Sequence, residues 1–329
     1  MTNMTNKKYD AVIIGGGHNG LVCAGYLAKA GKSVLVLEAN EQVGGAAVTG
    51  ELADGKKIST CAHFLNQLNG KVSKDLDLAS NGLKMAATDV STIALNVNGD
   101  HLRFSGNSVK GGDISAEDAA NYTKFMMLIH EYATTLGFLM DEPPLDIFNM
   151  DFSDKVTALK LGWKLRFGLG AEKMSEFLRM IGMNIRDVLD DEFDSELLKG
   201  AISFDAVLGT HTGPYSAGNF FTFLYRYASG DHGALNIPEG GMGSVTSAMA
   251  MAVKANGAEI KTGAKVTSVT VENCAVTGVV LEGGDEVKTD CVISNAHIKT
   301  TVLDIVGTKH FEADFVKRTT DVRTRGSAA

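Results

Sequence analysis

Cysteine is scarce in this 329-residue chain: four residues, at positions 23, 61, 274 and 291, with no Cys-x-x-Cys pair among them. That spacing excludes a vicinal dithiol–disulfide relay. Cys23, Cys274 and Cys291 fall in apolar stretches and read as small buried hydrophobes, which leaves Cys61 as the one cysteine near a candidate ligand face. No apolar run approaches the roughly 18 residues that a membrane-spanning helix needs. Positive charge is not in excess: 31 Lys+Arg against 39 Asp+Glu give a net charge of −8. Such a balance argues against nucleic acid, or an anionic membrane, as a partner reached through bulk electrostatics. No serine sits in a nucleophile elbow, and the eight histidines are scattered with no metal-ligand spacing, so no metal is expected. The lead "MTNMTNKK" is too short and polar for a signal or transit peptide, which points to a cytoplasmic protein of bacterial type.

Against those absences stands "VIIGGGHNGL", Val12 to Leu21, with glycines at 15, 17 and 20. Glycine supplies 37 residues, so the bare Gly-x-Gly-x-x-Gly pattern is weak, and its context decides. A β-rich run, Val12 to Ile14, precedes it, and apolar residues at helical spacing follow as far as Gly31. "SVLVLE" then supplies a second strand closed by Glu38, eighteen residues after the last glycine. In such a unit Gly15 permits the tight turn, Gly17 admits a pyrophosphate, and Gly20 lets helix and strand pack closely. The helix N-terminus at His18 and Asn19 offers free N–H groups to the anion. Glu38 suits both hydroxyls of an adenosine ribose and repels a 2′-phosphate, which leaves NAD or FAD. A second glycine pair, Gly44–Gly45 followed by Ala46, lets a loop pass close to a cofactor extended beyond its pyrophosphate, and so favours FAD. A ligand-free packing turn is the alternative.

The stretch "YDAVIIGGGHNGLVCAGYLAKAGKSVLVLEANEQVGGAAVTGEL" resembles the N-terminus of the phytoene-desaturase-like FAD/NAD(P)-binding oxidoreductases. "GHNG" and "GGAAVT" point within them to the pyridine nucleotide-disulfide oxidoreductase domain branch, whose "disulfide" the cysteine spacing reduces to ancestry. A second block agrees, "IPEGGMGSVTSAMAMAVKANGAEIKTGAKVTSV" followed by "VISNAH". The resemblance implies an α/β fold: a Rossmann-like FAD-binding domain of the GR2 type, interrupted by a mostly helical substrate-domain insertion. It also implies that Val266 presents its backbone to the adenine edge.

The expected organisation is a first part of the FAD domain at 1–90, a mainly helical cap at 91–230, a second FAD part at 231–300, and the start of a C-terminal substrate region at 301–329. "STIALNVNGDHLRFSG" reads as a hairpin about Asn98–Gly99–Asp100. Ser115 caps a helix that carries Phe125, Leu128, Ile129 and Tyr132, and Pro143–Pro144 ends it. Further helices are expected near 153–168, 171–183, 195–202 and 217–228. Met126, Met127, Met174, Met180 and Met183 fit ordinary core better than a substrate channel. After Pro238 and the glycines at 240, 241 and 243 comes a helix over 244–254, then "AEIKT", "KVTSVTVE", "AVTGVVLEG" and "EVKTDCVISNA" as one strand and a small meander.

By resemblance the activity is that of an FAD-dependent oxidoreductase dehydrogenating, desaturating or isomerising a small apolar unsaturated substrate. The alternatives are a non-catalytic nucleotide-binding regulator acting through a protein partner, in the manner of mitochondrial (matrix) animal relatives, and an NAD-dependent dehydrogenase. A homo-oligomer is also compatible. His211, Tyr215, Tyr225, Arg226 and Tyr227 flank the expected cavity, yet none is assigned a catalytic role. His18 reads as a local turn residue in the chemistry. The family resemblance also implies a longer chain, by roughly half again, so the sequence reads as an N-terminal fragment with an open flavin-ring site. Such a fragment is expected to bind flavin weakly and to turn over poorly.

Overall fold

Strand β1, Ala11–Ile14, is buried along its whole length, as a run of Ala-Val-Ile-Ile with no polar break requires. In this computed structural model, which describes residues 7–324 and 326 except 113, 143, 144, 147, 229 and 230, β1 is central to a parallel sheet. Helix α1 spans His18–Lys29, and strand β2, Val34–Leu37, returns alongside β1 with Ala11 opposite Val34 and Ile14 opposite Leu37. The remaining elements of this unit lie far along the chain. Helix α2 is Gly243–Ala255, and β3, Glu259–Lys261, pairs with β2. Strands β4, Val266–Glu272, β5, Ala275–Leu281, and β6, Glu286–Thr289, form an antiparallel meander. Strand β7, Val292–Ser294, completes the parallel sheet in the order β3-β2-β1-β7.

Alternation along the strands divides the packing. Val12, Ile14, Leu35 and Leu37 share one apolar cluster with Val266, Val269, Val279, Leu281 and Val287 of the meander. Ile13 and Val36 point the other way and are fully buried. On residue contacts the chain divides into two compact units: one drawn from 1–65, 70–87 and 237–323, the other from 66–69, 88–236 and 324–329.

The second unit is mostly helical, as the sequence led one to expect. Its axis is the helix Ala116–Asp141, whose N-terminal amide at Asp118 donates to the Ser115 hydroxyl at 2.9 Å. Phe125, Ile129 and Tyr132 on this helix pack with Phe177, Ile185, Phe220 and Phe223 of the helices Gly170–Ile181, Ile185–Glu192 and Asn219–Tyr227. The buried Asp118 carboxylate accepts the amides of Asp194 and Ser195 at 3.0 and 2.9 Å, just ahead of the helix Glu196–Val207. Met126 and Met180 are core, Met174 and Met183 pack against it, and Met127 is exposed.

Several expectations need correction. The helix Ile185–Glu192 was not anticipated, because eight residues hold too few apolar positions to show a period. "EVKTDCVISNA" is two strands: at its middle the Thr289 hydroxyl accepts the Cys291 amide (3.1 Å) and donates to the Cys291 carbonyl (3.0 Å), a local turn that passes the chain from meander to sheet. For the same reason Cys291 is exposed, and Cys274 is exposed at the left-handed corner (φ 62°) between β4 and β5. The expected hairpin pairs Thr92–Ala94 with Leu102–Ser105 across a longer loop than Asn98–Asp100. Residues 301–323, expected to open a further substrate region, pack with the first unit, where Ile305 joins the meander cluster. Pro143 and Pro144 lie outside the described residues.

Candidate dinucleotide site

The ladder between β1 and β2 runs on into the turn: the Gly15 amide donates to the Leu37 carbonyl at 2.8 Å. Gly15 then takes φ +97°, a conformation that side chains rarely adopt. Gly17, the N-cap of α1, has no side chain to satisfy the helix amides, and the Leu21 amide makes the first intrahelical bond, to the Gly17 carbonyl at 2.9 Å. The amides of His18, Asn19 and Gly20 therefore have no partner within the helix and face outward with the positive end of its dipole. The first turn holds no acidic residue that would compete for them. His18 and Asn19 are exposed; Gly17 and Gly20 are buried.

Glu38 sits at the end of β2 and is 6% exposed. Its Oε2 accepts the Gly16 amide at 2.7 Å, and its Oε1 accepts the backbone and side-chain N–H groups of Asn40, each at 2.9 Å. A carboxylate has about four acceptor positions, so these bonds fix its orientation and leave room for a further donor. Its backbone is held as firmly, by the Lys261 carbonyl at 2.9 Å and the Ala264 amide at 2.8 Å.

The second glycine pair meets the first. The Gly44 amide donates to the Gly16 carbonyl at 2.8 Å, and Gly17 and Gly44 form a parallel bridge. A Cβ built on Gly44 would lie 2.7 Å from the Ala47 carbonyl oxygen, and one on Gly45 would lie 3.3 Å from the Gly17 Cα. Gly45 and Ala46 remain exposed beside the turn. The loop is tied onward to α2, since Thr246 Oγ1 donates to the Ala47 carbonyl at 2.9 Å and Thr49 Oγ1 accepts the Gly243 amide at 2.9 Å. The Pro238–Gly243 segment thus supports the loop that carries the glycine pair. Val266 begins β4 opposite Leu281 and is buried.

One residue of this cluster escaped the sequence reading. Asn295 follows β7, and its amide donates to the Ile14 carbonyl at 2.8 Å. Its side chain fills the hollow left by the glycines: Nδ2 lies 2.8 Å from a Cβ built on Gly17 and 3.2 Å from one built on Gly20. Asn295 lies within the "VISNAH" block, where the residue pattern showed only a polar residue directly after an apolar strand. The residues expected to flank a substrate cavity all lie in the helical unit. His211, Tyr215 and Tyr225 are exposed, Arg226 is paired with Asp205, and Tyr227 packs on Phe223 and His130.

A turn whose amides have no acceptor within the helix, a fixed carboxylate on the next strand and a close glycine loop fit the pyrophosphate and ribose of a dinucleotide. The family described as flavin containing amine oxidoreductase matches residues 20–302, and the chain belongs to it. FAD is the cofactor of this class. Among curated proteins, the chain is 32% identical over 339 residues to the pyridine nucleotide-disulfide oxidoreductase domain-containing protein 2 of Rattus norvegicus, covering 97% of this chain and 58% of that protein. It is 26% identical to the chloroplastic prolycopene isomerase of Daucus carota, covering 88% of this chain and 46% of that one. A solved oxidoreductase from Methanosarcina mazei has the same fold with a TM-score of 0.59 at 20% identity, covering 96% of this chain and 66% of that one. The chain therefore spans less than two thirds of the length of these relatives. Among the described residues, no helix is long and apolar enough to cross a membrane.

Proposed function

We propose that this chain carries the FAD-binding part of an FAD-dependent oxidoreductase acting on an apolar, unsaturated small molecule. The arrangement of Glu38 against the glycine turn supports the cofactor assignment above all. The amides of His18, Asn19 and Gly20 bind the pyrophosphate, and Gly15 and Gly17 keep the backbone clear of it. The remaining acceptor position of Glu38 takes a ribose hydroxyl. Gly44, Gly45 and Ala46 line the path toward the flavin end, and the Val266 backbone meets the adenine. Bound flavin supplies the two-electron chemistry, and the protein's part is to hold and orient it.

The substrate class rests on likeness to a relative named as a prolycopene isomerase, prolycopene being an unsaturated hydrocarbon. The family description instead names amines, and the experiment separates the two. Purified protein is reconstituted with FAD, and its visible spectrum is followed without oxygen as polyenes, reduced or oxidised, and primary amines are added in turn. Flavin reduction or reoxidation by polyenes alone is the expected result. Bleaching by amines alone sinks the substrate assignment, and a protein that acquires no flavin spectrum sinks the cofactor assignment.

A further inference from the structure

The helix Phe152–Trp163 and the π-helical turn Lys164–Leu169 that continues it carry two apolar stripes, where a surface helix ordinarily carries one. The inner stripe is ordinary: Thr157 and Leu169 are buried, Leu161 is half-buried, and Leu165 packs against the core of the helical unit. The outer stripe runs through 152, 156, 159, 163 and 167, in steps of four, three, four and four that keep one face of the helix. Along it Phe152 is 83% exposed, Leu159 73%, Trp163 64% and Phe167 63%. The Trp163 and Phe167 rings lie against each other with centroids 4.3 Å apart, leaving a continuous aromatic ridge open to solvent.

Charge borders this ridge. Lys155, Lys160, Lys164 and Arg166 lie in the same stretch, against the single carboxylate of Asp154. At helical spacing Lys155 and Arg166 fall on one side of the outer stripe, and Lys160 and Lys164 on the other. The Lys164 ammonium lies 4.2 Å from the centre of the Phe138 ring, its stem laid along apolar surface. The chain as a whole is acidic, at −8, so this is a local reversal of sign. Fields are screened within about 8 Å at physiological salt, and an approaching surface therefore meets the local cations rather than the bulk charge.

We propose that this face is a membrane-surface anchor: the ridge Phe152–Leu159–Trp163–Phe167 enters the headgroup–acyl boundary of a bilayer, and the flanking cations engage anionic lipid headgroups. An apolar ridge between two rows of cations is the arrangement by which helices lie in an interface without crossing it. An anionic bilayer complements both features at once, the apolar ridge at its acyl boundary and the four cations at its headgroups. The anchor stands independently of which substrate the flavin site serves.

Trp163 is the chain's only tryptophan, so its emission reads the site directly. The full chain is mixed with vesicles of phosphatidylcholine, and with vesicles of equimolar phosphatidylcholine and phosphatidylglycerol, then sedimented and its fluorescence recorded. The expected result is partition onto the mixed vesicles, with Trp163 emission shifted to the blue and quenched by lipids brominated in the acyl chain. Lys160→Glu and Lys164→Glu, both on exposed positions, each lower the partition coefficient by at least about fivefold, the worth of one charge near such a surface. Phe167→Ser lowers binding to both vesicle types. Circular dichroism and thermal melting confirm that each variant is folded. Equal binding to the two vesicle types, or binding that leaves Trp163 unshifted and unquenched, overturns the proposal. So does emission already blue without lipid, accompanied by concentration-dependent dimerisation, which would assign the face to a second copy.

Discussion

The carboxylate of Glu38 accepts the amide of Gly16 at 2.7 Å, across the end of the parallel sheet. One side chain therefore orders the glycine turn and, in the function proposed above, uses its remaining acceptor position for the ribose of the cofactor. Two functions on one group give separable readouts.

Glu38→Gln keeps an oxygen for the Gly16 amide and loses the charge, whereas Glu38→Ala loses both. The alanine variant is expected to bind FAD more weakly by about 2 kcal/mol, the scale of a hydrogen bond to a charged group, and to melt at a lower temperature. The glutamine variant keeps the Gly16 bond but turns its NH2 toward the two Asn40 donors, so it is expected to melt between the parent and the alanine variant and still to lose affinity. Flavin titration and thermal denaturation measured side by side decide it.

Gly17 and Gly20 resist substitution for different reasons. A Cβ on Gly17 would meet the Asn295 side chain at 2.8 Å, whereas one on Gly20 would meet the Gly15 carbonyl oxygen at 2.3 Å. Both Gly→Ala variants are expected to lose stability on the scale of overpacking, about 1–3 kcal/mol. Adding Asn295→Ala restores the Gly17 variant and leaves the Gly20 variant unchanged, because backbone cannot retreat as a side chain can. Denaturant melts of the singles and doubles test this.

Asp118 is buried and accepts two backbone amides, those of Asp194 and Ser195. Asp118→Ala strands both donors and is expected to destabilise the helical unit by about 2–3 kcal/mol. An equal melting temperature for variant and parent would refute this account of the clamp.

Burial holds four phenols neutral beyond their ordinary range. Tyr9, Tyr122, Tyr132 and Tyr227 are each pushed up to about 12, mainly by desolvation, with a hydrogen bond to Glu259 adding to the effect at Tyr9. A phenol whose folded value lies above its unfolded value of about 10 stabilises the fold fully below pH 10, and that contribution is lost as pH rises toward 12. Melting temperature is therefore expected to fall across pH 10–12, and phenolate absorbance of the folded protein to lag that of the unfolded chain. Coincident titration curves would contradict this.

What could be read from the sequence was what lies close along it. Strand, turn, helix and acid occupy residues 11–38, and each local preference there agrees with the others, which is why the glycines and Glu38 were found. Gly44 and Gly45 were legible because only glycine tolerates such an approach. Asn295 was not, since what makes it matter is the turn more than 270 residues earlier, and a polar residue after a strand is otherwise unremarkable. The outer stripe of Phe152–Trp163 was hidden in another way: periodicity reports an apolar face but not which of two faces the fold covers. Cys274 and Cys291 misled because apolar neighbours in sequence say little about a corner between strands.

The sheet order carries a consequence for biosynthesis. Strand β1 takes β2 as one neighbour within its first forty residues, yet its other neighbour, Val292–Ser294, is translated after the whole helical segment. At about 5–20 residues per second, the newborn β1 waits more than ten seconds with one edge unpaired, while residues 88–236 already hold everything their own core needs. The helical segment is therefore expected to acquire a native interior on the ribosome before the parallel sheet does, and the glycine turn to mature after it.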